Sequence, residues 1–229
     1  AQTRIEAAER FGFDPNATIV IDGVSEDRVL ESFWEMALEQ QVVTALAQLS
    51  PALVTTPNFS LFADVPRWDN FHNMKRIALA WYEMASSGLP AALHLNARTD
   101  RDWDRWIEFL VDHEEIDAIA FEFATGAAIS HRAHWYVKKL REVAAAVPQD
   151  LRLVIRGGFP YLQALGKRFR SVTFIDTSSF VKMTKRQAAS IAPSGRLKWH
   201  RVDAPLDDLL DHNVRVVGSA VKARLAELS

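Results

Sequence analysis

The side chains of this sequence most able to do chemistry fall at the ends of apolar runs. Asp22 follows Thr18-Ile19-Val20-Ile21. Thr55, Thr56 and Asn58 follow Leu53-Val54. His94 and Asn96 close Ala91–Asn96, and Glu122 stands between Phe121 and Phe123. Arg156 precedes Gly157-Gly158, and Asp176 leads into Thr177-Ser178. Carboxylates at such places can share the work of nucleophile and general acid or base. We therefore read Asp22, Glu122 and Asp176 as the candidate catalytic set. Flanking phenylalanines desolvate Glu122, which raises a carboxyl pKa and suits acid–base work. Pairing with Arg156 on a neighbouring strand is its structural alternative. Asp22 before Gly23 also suits a turn, His94 also suits a satisfied core histidine, and Asp176 also suits a helix N-cap.

Asn58, His94 and Asn96 are the candidates for orienting a substrate. Arg156-Gly157-Gly158 offers a cation beside backbone that a phosphate or carboxylate can approach closely. Val217-Gly218-Ser219, read as the opening of a helix, would be a second anion site. His131 and His134 share a helical face, but no third ligand accompanies them, so no metal site is assigned. A metal-dependent hydrolase would need His94, Glu122, Asp176 and Asp22 to converge. The chain has no Cys, which excludes a thiol nucleophile, a disulfide framework and Cys-ligated zinc. It has no Walker loop, nucleophile elbow or His-Glu-x-x-His either, and no cofactor is expected.

The elements that must position these residues alternate. Strands are expected at Thr18–Gly23, Ala52–Thr56, Ala91–Asn96, Ile116–Phe123, Leu151–Arg156 and Ser171–Asp176. Helices are expected at 2–10, 26–49, 71–87, from Asp100, at 129–147 and at 160–169. Trp103, Trp106, Ile107 and Leu110 make an apolar stripe in the helix from Asp100. After strand six the pattern weakens: Arg196–Val202 reads as a seventh strand, Val214–Val217 as an eighth and Ser219–Glu227 as a closing helix. Strand–helix alternation means a parallel sheet with helical crossovers. Eight units in 229 residues fit a single-domain (β/α)8 TIM-like barrel. The alternative is an open doubly wound sheet. Either architecture binds ligands at the carboxyl ends of the strands.

The composition is 48% hydrophobic and 24% charged, with a net charge of −2, which argues against a wholesale nucleic-acid coat protein. The charge is uneven: Lys167–Arg201 holds nine Lys or Arg and one acid, Asp176. Within it Lys182, Lys185, Arg186 and Arg196 are the candidate phosphate or nucleic-acid contacts. No apolar run is long enough to span a bilayer and no signal-peptide pattern opens the sequence, so a cytoplasmic protein with no membrane partner is expected.

Leu53 to about Gly126 resembles an uncharacterised bacterial and mobile-element family, the domain of unknown function 4417. The likeness rests on Thr56-Pro57-Asn58-Phe59-Ser60-Leu61-Phe62, then Pro66, Asn70, Asn73 and Lys75-Arg76. Gly88-Leu89-Pro90, Phe123-Ala124-Thr125-Gly126 and Ile155-Arg156-Gly157-Gly158 follow in the same order. That family usually carries Asp where this chain has Asn58. More faintly, Gly157-Gly158 and Ile175-Asp176-Thr177-Ser178-Ser179-Phe180 resemble the barrel of the tRNA-guanine transglycosylase superfamily. That likeness implies strand carboxylates acting on a glycosidic bond, without the Cys-ligated zinc of classical members. Two functions are thus expected: an enzyme of nucleosides, nucleotides or nucleic acid working by carboxylate-assisted glycosyl transfer or hydrolysis, or a non-catalytic ligand- or nucleic-acid-binding barrel of a mobile-element protein.

Overall fold

Leu53-Val54-Thr55 is buried at every residue, and so is Ala118–Glu122. Strands apolar on both faces belong to parallel sheets covered by helices, and the protein is built that way. The structure is a computed structural model that describes residues 3–37, 41–124 and 130–226, the side chains of Ala37, Ser130 and His131 excepted. Of the positions named above, residues 2, 38–40, 125, 126, 129 and 227 and the His131 side chain lie outside the described residues. The chain divides into two compact units, Ala1–Phe121 and Glu122–Ser229.

In the first unit α1 (Arg4–Phe11) precedes β1 (Val20–Ile21), and α2 (Asp27–Ala37) and α3 (Val42–Gln48) precede β2 (Leu53–Thr55). The expected single helix over 26–49 is thus two, and Gln41 takes a left-handed conformation at φ 52° just before α3. Next come α4 (Arg67–Ser86), β3 (Ala91–His94), α5 (Asp100–Asp112) and β4 (Ala118–Glu122), whose last residue belongs to the second unit. β1 pairs with β2, β2 with β3 and β3 with β4, all parallel. The order never reverses. The α/β fold is thus built on an open parallel sheet, the coarser part of the alternative, but without the reversal that a doubly wound sheet needs.

α4 buries Met74, Ile77, Trp81 and Met84. It begins four residues before the expected Phe71, because Pro66 sits at its entrance with φ −54°, a dihedral already suited to the first turn. α5 starts on a capping box in which Thr99 and Asp102 satisfy each other's backbone N–H. Trp103, Trp106 and Leu110 turn into the core, and Trp103 lies 6.0 Å from the Phe121 ring. They are packing residues, as their spacing implies.

The second unit holds α6 (Ser130–Ala146), β5 (Arg152–Arg156), a short 3-10 turn, α7 (Leu162–Gly166) and β6 (Ser171–Ile175). It continues with α8 (Ser178–Thr184), β7 (Gln187–Ile191), β8 (Leu197–Arg201) and α9 (Leu206–Ala226). β5 and β6 are parallel over five residues. β7 and β8 pair antiparallel as a separate two-stranded sheet. The complete (β/α)8 barrel is therefore not formed. Residues 197–201 are a strand as expected, but of a hairpin. Val214–Val217 lies inside α9, where Leu209, Asn213, Val217 and Ala220 are buried at helical intervals. Helical burial overrides the β-branched composition of that run. Gly218 and Ser219 are mid-helix too, so they present no helix N-terminus to an anion.

Candidate functional site

The first unit brings three strand ends into one polar rim. β1 runs out at Asp22-Gly23 beside Thr55. The Thr55 hydroxyl donates to Asp22 Oδ1 (3.0 Å) and accepts the Gly23 N–H (2.7 Å). A Cβ on Gly23 would lie 2.3 Å from the Thr56 carbonyl oxygen, so only glycine allows the β1 end to lie this close to β2. Gly23 O in turn accepts the Asn58 N–H (2.9 Å). Asn96 Nδ2 donates to Asn58 Oδ1 (2.9 Å) and to Phe59 O (3.0 Å), and Asn96 O accepts the Trp106 indole N–H (2.8 Å). The His94 N–H donates to Thr56 Oγ1 at 2.8 Å.

Depth sorts these residues into two rows. Thr55, Thr56 and His94 are buried. Asp22, Asn58 and Asn96 are half-buried and form the accessible row. Both Asn96 Nδ2 hydrogens are spent on Asn58 Oδ1 and Phe59 O, so this carboxamide can meet a ligand only through its Oδ1, an acceptor beside the Asp22 carboxylate. His94 stands behind them at 2% exposure, the position of a core histidine rather than a first contact.

The loop after β2 carries Asn58 and is held along its length. Asn73 Nδ2 donates to Ser60 O (2.8 Å), and Ser60 Oγ donates to Asp27 Oδ1 (2.6 Å). Asn70 takes both backbone groups of Phe62, accepting its N–H (2.9 Å) and donating to its carbonyl (2.7 Å). Arg98 Nε donates to Leu61 O at 2.6 Å. Arg76 lies 3.8 Å over the Phe59 ring and grips Glu31 with both terminal nitrogens, at 2.9 and 2.6 Å. A backbone tied at five successive residues presents Asn58 in one position, the preorganisation a binding site needs.

Behind Arg98 stands Asp102, fully buried. It accepts the N–H groups of Arg98 (3.0 Å) and Thr99 (2.9 Å) and the Arg67 guanidinium. Burial pushes its carboxyl up, but those hydrogen bonds outweigh burial and hold it below the usual carboxylate value. Asn70, Asn73 and Arg76 stand among the family-like residues of the sequence. Asp102 and Arg98 carry a single signal in the sequence, the Thr99-x-x-Asp102 spacing of a capping box.

In the second unit Glu122 ends β4 and is buried at 8% exposure. Arg156 ends β5 half-buried, and its carbonyl accepts the Phe123 N–H at 2.8 Å. Gly157 and Gly158 have φ of 73° and 74°. A Cβ on Gly158 would meet the Phe123 ring at 2.6 Å, and one on Gly157 the Ala124 nitrogen at 3.1 Å. The close approach that glycine permits here is made by the chain itself, over 123–124.

Asp176 accepts the N–H groups of Ser178 (2.8 Å) and Ser179 (3.3 Å) and the Ser179 hydroxyl. Both of its oxygens thus serve the first turn of α8, the capping role. Lys185 and Arg196 are exposed and Lys182 is half-buried. Lys182 Nζ lies 5.8 Å from the centre of the Trp199 ring. Arg186 is held by Ala204 O (3.2 Å) and Asp203 (3.6 Å).

Among the described residues no group of three or more His, Asp or Glu is placed to hold a metal ion. Among them too, no helix is long and apolar enough to cross a membrane. No protein-family model matches the chain, and a comparison with curated proteins found no match either.

Proposed function

We propose that the strand-end rim of the first unit binds a nucleobase-containing small molecule and that Asp22 is the carboxylate acting on its glycosidic bond. One observation carries the reading. Asp22, Asn58 and Asn96 form a half-buried row whose orientation is locked by Thr55, Gly23 and Trp106. In this reading Asn96, its amide hydrogens fixed on Asn58 and Phe59, accepts a hydrogen bond from the base through Oδ1. The Asp22 carboxylate attacks the anomeric carbon as the bond to the base breaks, and water or a second base then displaces it. Thr55 positions Asp22 through its hydroxyl. Glu122, buried at the end of β4, belongs to the second unit and is given no step in this site. Asp176, whose oxygens cap α8, is read as structural. The resemblances to the domain of unknown function 4417 and to transglycosylase barrels are consistent with this reading.

The test is a ligand-dependent melt followed by a search for base release. A nucleoside at a hundred times its dissociation constant adds about 2.7 kcal/mol to stability. That shift should disappear in Asn96→Ala, and base release should fall at least about a hundredfold in Asp22→Asn, on the scale of losing a principal catalytic group. If Asp22→Asn keeps both binding and turnover, or no nucleoside or nucleotide stabilises the wild type, the reading is wrong.

A second reading is a non-catalytic nucleic-acid module of a mobile-element protein. What favours it is the run from Thr177 to Val202, which contains no acid and six Lys or Arg. It predicts binding that falls steeply with salt and is weakened by Lys182→Ala, Lys185→Ala or Arg196→Ala.

A further inference from the structure

The two edges of the β7–β8 ribbon are finished differently. In an antiparallel pair, successive residue pairs turn their N–H and C=O groups alternately inward and outward. The Val202 N–H donates to Arg186 O (3.0 Å) and the Ala192 N–H to Arg196 O (2.9 Å). The pairs Ala188–His200 and Ser190–Lys198 therefore point inward. The pairs Gln187–Arg201, Ala189–Trp199 and Ile191–Leu197 point outward.

On β7 the outward groups are met by α9. Asn213 Oδ1 accepts the Ala189 N–H (2.7 Å), and Asn213 Nδ2 donates to Gln187 O (2.9 Å). His212 Nε2 lies 2.9 Å from Ala189 O. One side-chain amide and one imidazole stand where the next strand would be. On β8 there is no such cover. Among the described residues, nothing takes the outward groups of Leu197, Trp199 and Arg201, and β8 pairs with β7 alone.

An open edge invites another strand, and the charge says which kind. Lys198, His200 and Arg201 on β8 are exposed, as is Arg196 just before it. A second copy pairing here would set like charges opposite one another, which is destabilising. An acidic strand would set opposite charges there. The geometry points to β8 as a docking edge for an extended acidic peptide of a partner protein, added to the ribbon as a third strand. A nucleic-acid backbone would satisfy the bases but has no use for outward N–H and C=O groups repeating every second residue. This inference does not depend on the strand-end rim.

The test is fluorescence anisotropy of the full chain with a short peptide of alternating Glu and Thr. Two N-methylated versions carry the methyl groups on one or the other alternate set of residues. Only one set faces a pairing strand, so one version should lose roughly tenfold or more in affinity, about the worth of one to two hydrogen bonds, while the other binds like the parent. Arg201→Pro removes an outward N–H and takes no ladder bond from β7. It should bind more weakly than Arg201→Ala, which removes charge alone, and Asp22→Asn should bind as the wild type does. If Arg201→Pro fails to fold, the paired peptides decide alone. Equal affinity for the two methylated peptides, no binding of the parent peptide, or stronger binding of a single-stranded oligothymidylate would overturn the proposal.

Discussion

Replacing Asp102 with alanine tests how the candidate site is supported. Asp102 lies outside the rim but holds Arg98, whose Nε donates to Leu61 O in the loop that carries Asn58. The substitution deletes two backbone hydrogen bonds to a charged acceptor, from Arg98 (3.0 Å) and Thr99 (2.9 Å), and the ion pair with Arg67. Hydrogen bonds to charged groups are worth about 1.5–3 kcal/mol each. Thr99 is exposed and Arg98 half-buried, so water can take up part of the loss, and the low end applies, about 3 kcal/mol in total. For a chain of this size that lowers the melting temperature by about 6–12 °C.

The pH dependence carries a sign of its own. Asp102 has a lowered pKa in the folded protein, so between the folded and unfolded values the unfolded chain binds more protons. The contribution of Asp102 is full above about pH 4 and is lost as pH falls through the folded value. Melts of wild type and Asp102→Ala should therefore lie furthest apart near neutrality and converge in acid. A variant that melts with the wild type at pH 7, or a gap that does not narrow in acid, would refute the account of Asp102 as a buried anionic anchor.

Gly23→Ala places a Cβ 2.3 Å from the Thr56 carbonyl oxygen, so β1 must move away from β2. Thermal denaturation should show a loss of about 2 kcal/mol or more, in the range of an overpacked site, together with loss of any rim ligand. Asp176→Ala should cost about 1–2 kcal/mol, as removal of a cap does, with base release by the folded fraction unchanged. A variant of full stability and no turnover would return Asp176 to the catalytic set.

The parallel strands were legible because their signal is local. An apolar run bounded by Gly, Pro or Asp, followed by a helix with its own period, announces a strand–helix unit without reference to the rest of the chain. Polar residues terminating those runs marked Asp22, Asn58 and Asn96 as rim residues for the same reason. The start of α5 was equally plain, since Asp100 follows the Thr99 cap directly.

Only the tertiary structure decided what depends on partners distant in sequence. β7, Gln-Ala-Ala-Ser-Ile, has little strand character; it exists because β8 pairs with one edge and Asn213, 24 residues from Ala189, closes the other. Val214–Val217 has strand composition, but burial at helical intervals puts it in α9. Gly157 and Gly158 offered room for a ligand until Phe123 and Ala124 filled it. In the sequence Asp176 reads as catalytic with a helix cap as its alternative, and only the fold shows both of its oxygens engaged by the first turn of α8. Local periodicity fixes which residues turn inward, because the repeat of each element is a property of the backbone. Which polar group satisfies which is settled only when distant segments meet, because a buried donor needs some acceptor and composition does not name it.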